Sequence, residues 1–325
     1  MGGHGGDPEA EGHGLLGYII GIKGKWEGKM KILEVEHVTK SFRKKKVIDG
    51  ISFSVGEGKV VGFVGPNGAG KTTTLKLVTN ILIPDSGSIH IAGFNILKER
   101  EKALANVAGV IENPALYMEL SGYDNLRFIQ RAYGKSKSDM EQVIEMIGLG
   151  HAMRQKTGRY SLGMKQRLGL GMALLADPKF LILDEPTNGL DASGIIELRA
   201  LICRKAKEGT TVLLSSHILS EVDRIADEVV FIKDGKIVEK SAMPPLRKKY
   251  LVKAGDAKGV LGQLASIRDA EAVLVNDTTV EFRVGAGDFA KAMRLVCQEE
   301  YQVQDIQQEG TQLEHVYQDI FREDA

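Results

Sequence analysis

The chain has little cysteine, no net charge and no long apolar run, and each shortage removes a class of protein. Two cysteines, Cys203 and Cys297, stand far apart in 325 residues. That is too few for a disulfide framework and carries no zinc spacing; it suits reduced, structural thiols in a cytosolic setting. Lysine plus arginine equals aspartate plus glutamate, 43 against 43. No long-range field draws in a polyanion, so no nucleic-acid partner is expected. No segment approaches the roughly 20 apolar residues that a membrane-spanning helix needs. The best run, Leu15 to Ile22, is broken by Gly17 and Gly21, and Asp7, Glu9 and Glu11 precede it, which is wrong for a signal peptide. Residues 1–29 read as a disordered leader; a start mis-assigned upstream of Met30, where the first strand pattern opens, is the alternative. What the chain does have is apolar residues, 43% against 26% charged, enough for a sizeable core and about two domains by length.

Strands are expected over Lys31–Val38, Val47–Val55 and Ser88–Phe94, separated by Asp49-Gly50, Gly56-Glu57-Gly58 and Asp85-Ser86-Gly87. Val60–Val64 is a short apolar run of the kind that fills a buried parallel strand. It leads into a glycine-rich turn and a helical stretch from Lys71 to about Ile81. Residues from about 115 to 167 look helical, with breaks near Gly122, Gly134 and Gly148. Phe180–Leu183 and Thr211–Leu214 again read as buried strands around a helix at Gly194–Lys207. Val229–Lys233 and Lys236–Glu239 should pair across Asp234-Gly235. Pro244-Pro245 and a basic run mark a boundary, with domains expected at 30–243 and 244–325. Beyond it the order strand, helix, strand, strand, helix, strand, with a closing helix, resembles a split βαββαβ sandwich.

Gly65-Pro66-Asn67-Gly68-Ala69-Gly70-Lys71-Thr72 fits G-x-x-x-x-G-K-[ST] in full. Glycines let successive N–H groups curl inward as an anion nest, and the following helix adds its positive end. Lys71 supplies a mobile charge for the β and γ phosphates of ATP, Thr72 a hydroxyl for Mg²⁺, and Thr73 continues the cradle. A chance turn is the alternative in a chain with 38 glycines; the strand before it and the helix after it argue for phosphate. Asp184 and Glu185 end an apolar strand at the edge where such sheets bind ligands. Asp184 is placed to hold Mg²⁺ and Glu185 to take a proton from, or orient, the attacking water. Alone, such a pair also suits a turn or helix cap; downstream of a phosphate loop it reads as catalytic.

Tyr160-Ser161-Leu162-Gly163-Met164 resembles the signature of the ABC ATPases, whose usual L-S-G-G-Q it varies. Glu185-Pro186-Thr187-Asn188-Gly189-Leu190-Asp191 resembles that family's D-loop region, and Ser215-Ser216-His217 its switch histidine. Phe42 stands where the family carries an aromatic that stacks on adenine. Taken singly, Ser161 suits a helix N-cap, His217 a structural role and Phe42 the core. Four ordered motifs around the phosphate loop, from about Lys31 to Glu239, carry the resemblance. It implies an α/β fold: a RecA-like core with an antiparallel β subdomain and a helical subdomain, to which a small α+β domain is added.

The resemblance also implies roles. Ser161 and Gly163 serve the nucleotide of an opposing copy, Asp191 belongs to the D-loop, and His217 holds γ-phosphate and water with Glu185. A second copy and a separate transmembrane permease become expected partners, at the inner face of the cell membrane. Glu112 lies where the family has its Q-loop glutamine and is an expected Mg²⁺ ligand beside Thr72 and Asp184. Glu112 and the altered signature are similar to the bacitracin- and lantibiotic-resistance branch, which implies export of an antimicrobial peptide or other drug-like substrate. A non-transport, regulatory ABC ATPase is the rival; tandem cassettes, a long coiled coil or a basic tract would mark such a protein, and the sequence has none of them.

Overall fold

Two strands, Val60-Val61-Gly62-Phe63-Val64 and Phe180-Leu181-Ile182-Leu183-Asp184, the second apolar up to its final acid, are buried along their whole length. A strand with no polar face fits only the interior of a sheet covered on both sides, and these two sit inside the larger sheet. The computed structural model describes residues 31–238, 247–267, 270–309 and 312–321. The expected leader, the expected boundary at 243/244 and the end of the strand expected at Lys236–Glu239 lie outside the described residues. The described residues fall into two compact units, one over 31–238 and one from 247 onward.

In the first unit, β1 (Lys31–Phe42), β2 (Lys45–Gly56), β4 (Ser86–Ile91) and β5 (Phe94–Asn95) form an antiparallel sheet in the order β2-β1-β4-β5. The single strand expected over Ser88–Phe94 is in fact a hairpin. Ala92 and Gly93 both take positive φ, 49° and 82°, which turns the chain back on itself between Ile91 and Phe94.

The second sheet joins β3 (Val60–Val64), β6 (Val107–Val110), β7 (Phe180–Asp184), β8 (Thr211–Ser216), β9 (Glu228–Lys233) and β10 (Lys236–Ile237), in the order β10-β9-β3-β8-β7-β6. All neighbours are parallel except β10, which returns on β9 through Asp234-Gly235, at φ 48° and 76°. The register matters for function: Val64 lies opposite Ser216, and Asp184 opposite Ser215. Strands β3, β8 and β7 therefore finish level. Helices α1 (Lys71–Val78), α2 (Arg100–Leu104), α6 (Ala192–Lys207) and α7 (Leu219–Asp223) belong to this core.

The helical part comprises α3 (Gly122–Ala132), α4 (Lys137–Met146) and α5 (Leu162–Leu175), with short 3-10 turns between the last two. Ser121 caps α3, and Ser136 with Asp139 forms a capping box on α4, each such cap contributing about 1 kcal/mol. Leu126, Met140, Val143 and Ile147 pack with Leu168 and Leu175 of α5. Gly171 permits this approach, since a Cβ there would lie 2.8 Å from Ile147 Cδ1. Helix α5 starts at Leu162 because Ser161 caps it, its hydroxyl accepting from Met164 N–H.

The second unit holds β11 (Arg247–Ala254), α8 (Ala257–Leu264), β12 (Glu271–Asn276), β13 (Thr279–Gly285), α9 (Ala286–Val296), β14 (Val303–Glu309) and α10 (Gln312–Phe321). Its antiparallel sheet runs β12-β13-β11-β14, with β11 central and bonded to both β13 and β14. That is the split βαββαβ arrangement. Tyr250, Val252, Val280 and Phe282 face a core shared with Ala257, Val260 and Leu264 of α8 and with Ala292 and Val296 of α9. No helix among the described residues is long and apolar enough to cross a membrane.

Candidate functional site

Beyond Val64 the chain turns through Gly65–Gly70 into α1. A Cβ on Gly65 would collide with the carbonyl oxygen of Ile232, and Gly68 and Gly70 take φ of 82° and 109°. Only glycine meets both demands without strain. Ala69 is buried, and its N–H donates to Pro66 O at 3.2 Å, which closes the curl; Asn67 is exposed and Thr73 half-buried. Gly70 is the N-cap of α1 and offers no side-chain cap. The first-turn N–H groups are thus left for an anion.

Lys71 is buried, with 6% of its surface exposed. Its ammonium donates to Gly65 O at 2.8 Å and Pro66 O at 3.3 Å, and lies 3.5 Å from Glu185 Oε1. A lysine so enclosed by its own loop is aimed at whatever the loop holds. Thr72 Oγ1 donates to Asp184 Oδ2 at 2.8 Å. Asp184 also accepts from Ser215 Oγ at 2.5 Å and from Glu112 N–H at 3.3 Å.

Glu185 has φ 47°, a left-handed conformation that a non-glycine residue adopts at a cost and that recurs at functional sites. Its N–H donates to Ser215 Oγ at 2.9 Å, which fixes the turn. Its Oε2 lies 2.7 Å from His217 Nδ1 and accepts from His217 N–H at 3.3 Å. Lys71, Thr72, Asp184, Glu185 and His217 thus come together from three strand ends, and Glu185 lies between a cation and an imidazole.

Glu112 enters this cluster through its backbone. Its carboxylate points elsewhere, to Lys76 Nζ of α1 at 2.6 Å, and the residue adopts φ 59°. Phe42 ends β1 with 43% of its surface exposed, so it is not a core residue; Lys40 Nζ sits 5.8 Å from its ring centre. A ring exposed in this way can stack on a base.

Ser161, Gly163 and Asp191 lie apart from the phosphate loop. Ser161 Oγ accepts from Met164 N–H at 3.2 Å, and Asp191 caps α6 through Gly194 N–H at 2.9 Å. They adjoin one another's segments, since a Cβ on Gly163 would stand 2.9 Å from Gly189 O and one on Gly189 would collide with Leu162. The leucine that departs from the usual signature is packed over the glycine of the following loop.

Sequence reasoning passed over two contributors. Ser215 joins Asp184 to Glu185, and only its place at a strand end one residue before Ser216-His217 hinted at this. Lys76 shows no signal beyond its helical spacing from Lys71.

A phosphate nest, an acidic pair and a histidine on level strand ends suit the transfer of a phosphoryl group to water. The family model "ABC transporter" matches residues 48–188. The chain is 41% identical over 225 residues to the bacitracin transport ATP-binding protein BcrA of Bacillus licheniformis, covering 68% of this chain and 74% of that one. It is 42% identical over 207 residues to the lantibiotic transport ATP-binding protein SrtF of Streptococcus pyogenes, covering 64% and 89%. Among solved structures, an ATP-binding subunit of an ABC transporter superposes with a TM-score of 0.59 at 31% identity, over 63% of this chain and 88% of that one. The chain belongs to the ABC transporter ATP-binding proteins and is an ATP-binding, ATP-hydrolysing subunit of that family.

Proposed function

We propose that the subunit works as a pair, with ATP and Mg²⁺ clamped between two copies, and that closure of the pair drives export of a peptide antibiotic or similar drug-like molecule through a separate permease. The observation that carries the reading is Glu185, held at once by His217 at 2.7 Å and by Lys71 at 3.5 Å. When phosphates arrive, they take over Lys71 and free one oxygen of Glu185 for the attacking water. Glu185 then serves as general base, and His217 steadies it and faces the γ-phosphate.

Residues Gly65 to Thr73 are assigned to the phosphates and Phe42 to adenine. Thr72 and Asp184 are assigned to Mg²⁺. Both are oxygen donors of the kind the ion prefers, and no described cluster of three or more acidic, histidine or cysteine side chains could hold a metal alone. The remaining positions therefore fall to phosphate and water. Bound Mg²⁺ neutralises charge on the phosphate oxygens. Glu112 joins this set only if it leaves Lys76, a step that would link ion occupancy to its loop.

Among the described residues, no hydrogen bond joins Ser161 to the Lys71 loop, which supports its service to the nucleotide of a second copy, together with Gly163 and Asp191. For the permease we assign a groove of about 490 Å³ beside Glu112, walled by Ile81, Ile111, Pro114, Tyr133 and Met172. Ile81 and Tyr133 expose 62% and 51% of their surface, and apolar surface gathered around one groove supports an interaction site. With this face on the permease, the subunit would lie at the inner surface of the membrane. Domains at 30–243 and 244–325 complete the reading, with the second accessory to the first. Affinity capture of the chain from detergent-solubilised membranes tests it: a multi-spanning protein should co-purify, and Ile81→Glu with Tyr133→Glu should release it. Capture without any such partner would favour the regulatory rival.

A further inference from the structure

Leu162 stands where the usual signature has glycine, at the start of α5 and directly after Ser161. Half of its surface is exposed, unlike the buried Leu168 and Leu175 of the same helix. Its side chain nevertheless lies against the backbone of Gly189: a Cβ there would fall 2.6 Å from Leu162 Cγ and collide with Cδ2. Gly163 tightens the same contact, since its own Cβ would stand 2.9 Å from Gly189 O and 3.3 Å from Leu190 Cδ2. Gly189 also takes φ 76°, so close approach and backbone shape both call for glycine there. Further along, Arg167 Nη1 meets Glu197 Oε2 at 2.6 Å and ties α5 to α6 at a second point.

The segment under Leu162 leads straight back to Glu185. Leu190 N–H donates to Thr187 O at 3.2 Å, and Asn188 N–H donates to Glu185 O at 3.1 Å. Two overlapping turns thus join Gly189 to the carbonyl of Glu185. Glu185 itself is held at φ 47°, a shape that persists only where the surroundings over-determine it. We propose that Leu162 is a positioning residue for the hydrolytic step. It braces the turn from Pro186 to Gly189 against α5, and so keeps the Glu185 carboxylate between Lys71 and His217. A glycine at this position has no atoms with which to make the contact. One short segment then serves two sites: Ser161 is assigned to the nucleotide of the opposing copy, and Leu162 to the chain's own Glu185. The effect on rate rests on the general-base reading of Glu185.

Leu162→Ala removes the brace. Its kcat for ATP hydrolysis should fall roughly tenfold while the KM for ATP stays within about twofold, because a small misplacement of a reacting group is costly in rate. Its melting temperature should move by no more than about 2 °C, as expected for a half-exposed side chain. Leu162→Met keeps the volume and should restore kcat. A double-variant cycle with Glu185→Gln, read as single-turnover rates, tests the route of action. If Leu162 acts through Glu185, adding Leu162→Ala to Glu185→Gln should cost nothing further. An unchanged kcat, a change confined to KM, a large fall in melting temperature, or an equal loss in both backgrounds overturns the positioning role. Failure of the general-base reading is seen separately, as full turnover by Glu185→Gln with Leu162 intact.

Discussion

Thr72 and Asp184 are 112 residues apart in sequence and share a 2.8 Å hydrogen bond between Oγ1 and Oδ2. The hydroxyl and the carboxylate meet where one ion can touch both, and the acid is buried in the sheet with Ser215 and one backbone N–H as its further partners among the described residues. Asp184→Asn keeps the shape and removes the charge. ATPase activity in Mg²⁺ should fall at least about 100-fold, since the ion supplies several kcal/mol of charge stabilisation. Filter binding should still detect ATP.

Glu185→Gln retains the contact with His217 but cannot accept a proton. A general base typically contributes about 10²–10⁴-fold, and steady-state hydrolysis should drop by that order. ATP-loaded dimers should then accumulate on size-exclusion chromatography. Full turnover by this variant would remove Glu185 from the mechanism.

Lys71→Ala should abolish nucleotide binding or hydrolysis in its own site, and Ser161→Arg should block the site of a partner. Mixed together, the two inactive proteins should regain activity. A heterodimer of this type has one site with both lesions and one with neither, so random mixing restores about a quarter of the original sites. Two inactive variants that stay inactive when mixed would place Ser161 outside the opposing site.

Glu112 and Lys76 expose 57% and 25% of their side chains. A pair that open to solvent is worth about 0–1 kcal/mol, so Glu112 can exchange Lys76 for another cation at little cost. Glu112→Gln should shift the Mg²⁺ concentration for half-maximal ATPase and weaken stimulation by the permease. If neither measurement moves, the residue has no part in the ion site.

In the second unit, Lys249 joins two strands, with Glu309 Oε2 at 2.6 Å and Glu281 Oε2 at 2.9 Å. The hydrogen bond to Glu309 and then that to Glu281 hold its ammonium above the ordinary lysine value of 10.5. A group whose folded value is raised adds stability below its unfolded value and loses that contribution as pH climbs through the folded one. Melting of this unit should therefore weaken above about pH 10.5, and Lys249→Met should flatten that slope. Phe282→Ala, which removes a fully buried ring stacked on Tyr250, should cost about 3–5 kcal/mol at any pH.

Legibility in the sequence followed the physics of each segment. Val60–Val64 and Phe180–Leu183 are apolar throughout, and a buried strand needs nothing else. The Gly65–Thr72 loop carries its chemistry in residue types that no other structure requires. Strand β6 escaped notice because Val107-Ala108-Gly109-Val110 is short and weakly β-prone. Gly109 lets it lie close to β7, since a Cβ there would collide with the carbonyl oxygen of Ile182. The Lys76–Glu112 pair and the Ser215 bridge depend on contacts between distant segments, and neither has a local signature. Ser161 was legible as both cap and signature, and the structure displays the cap.

The level ending of β3, β8 and β7 has a consequence for how the chain is made. The ligand cradle is assembled from stretches near positions 65, 184 and 217, so a nascent chain cannot grip nucleotide until the last of them has emerged and paired. Nucleotide is then a ligand of the finished sheet alone and pulls the folding equilibrium toward it by mass action. Retention on immobilised ATP becomes a readout of a chain made and paired as far as His217.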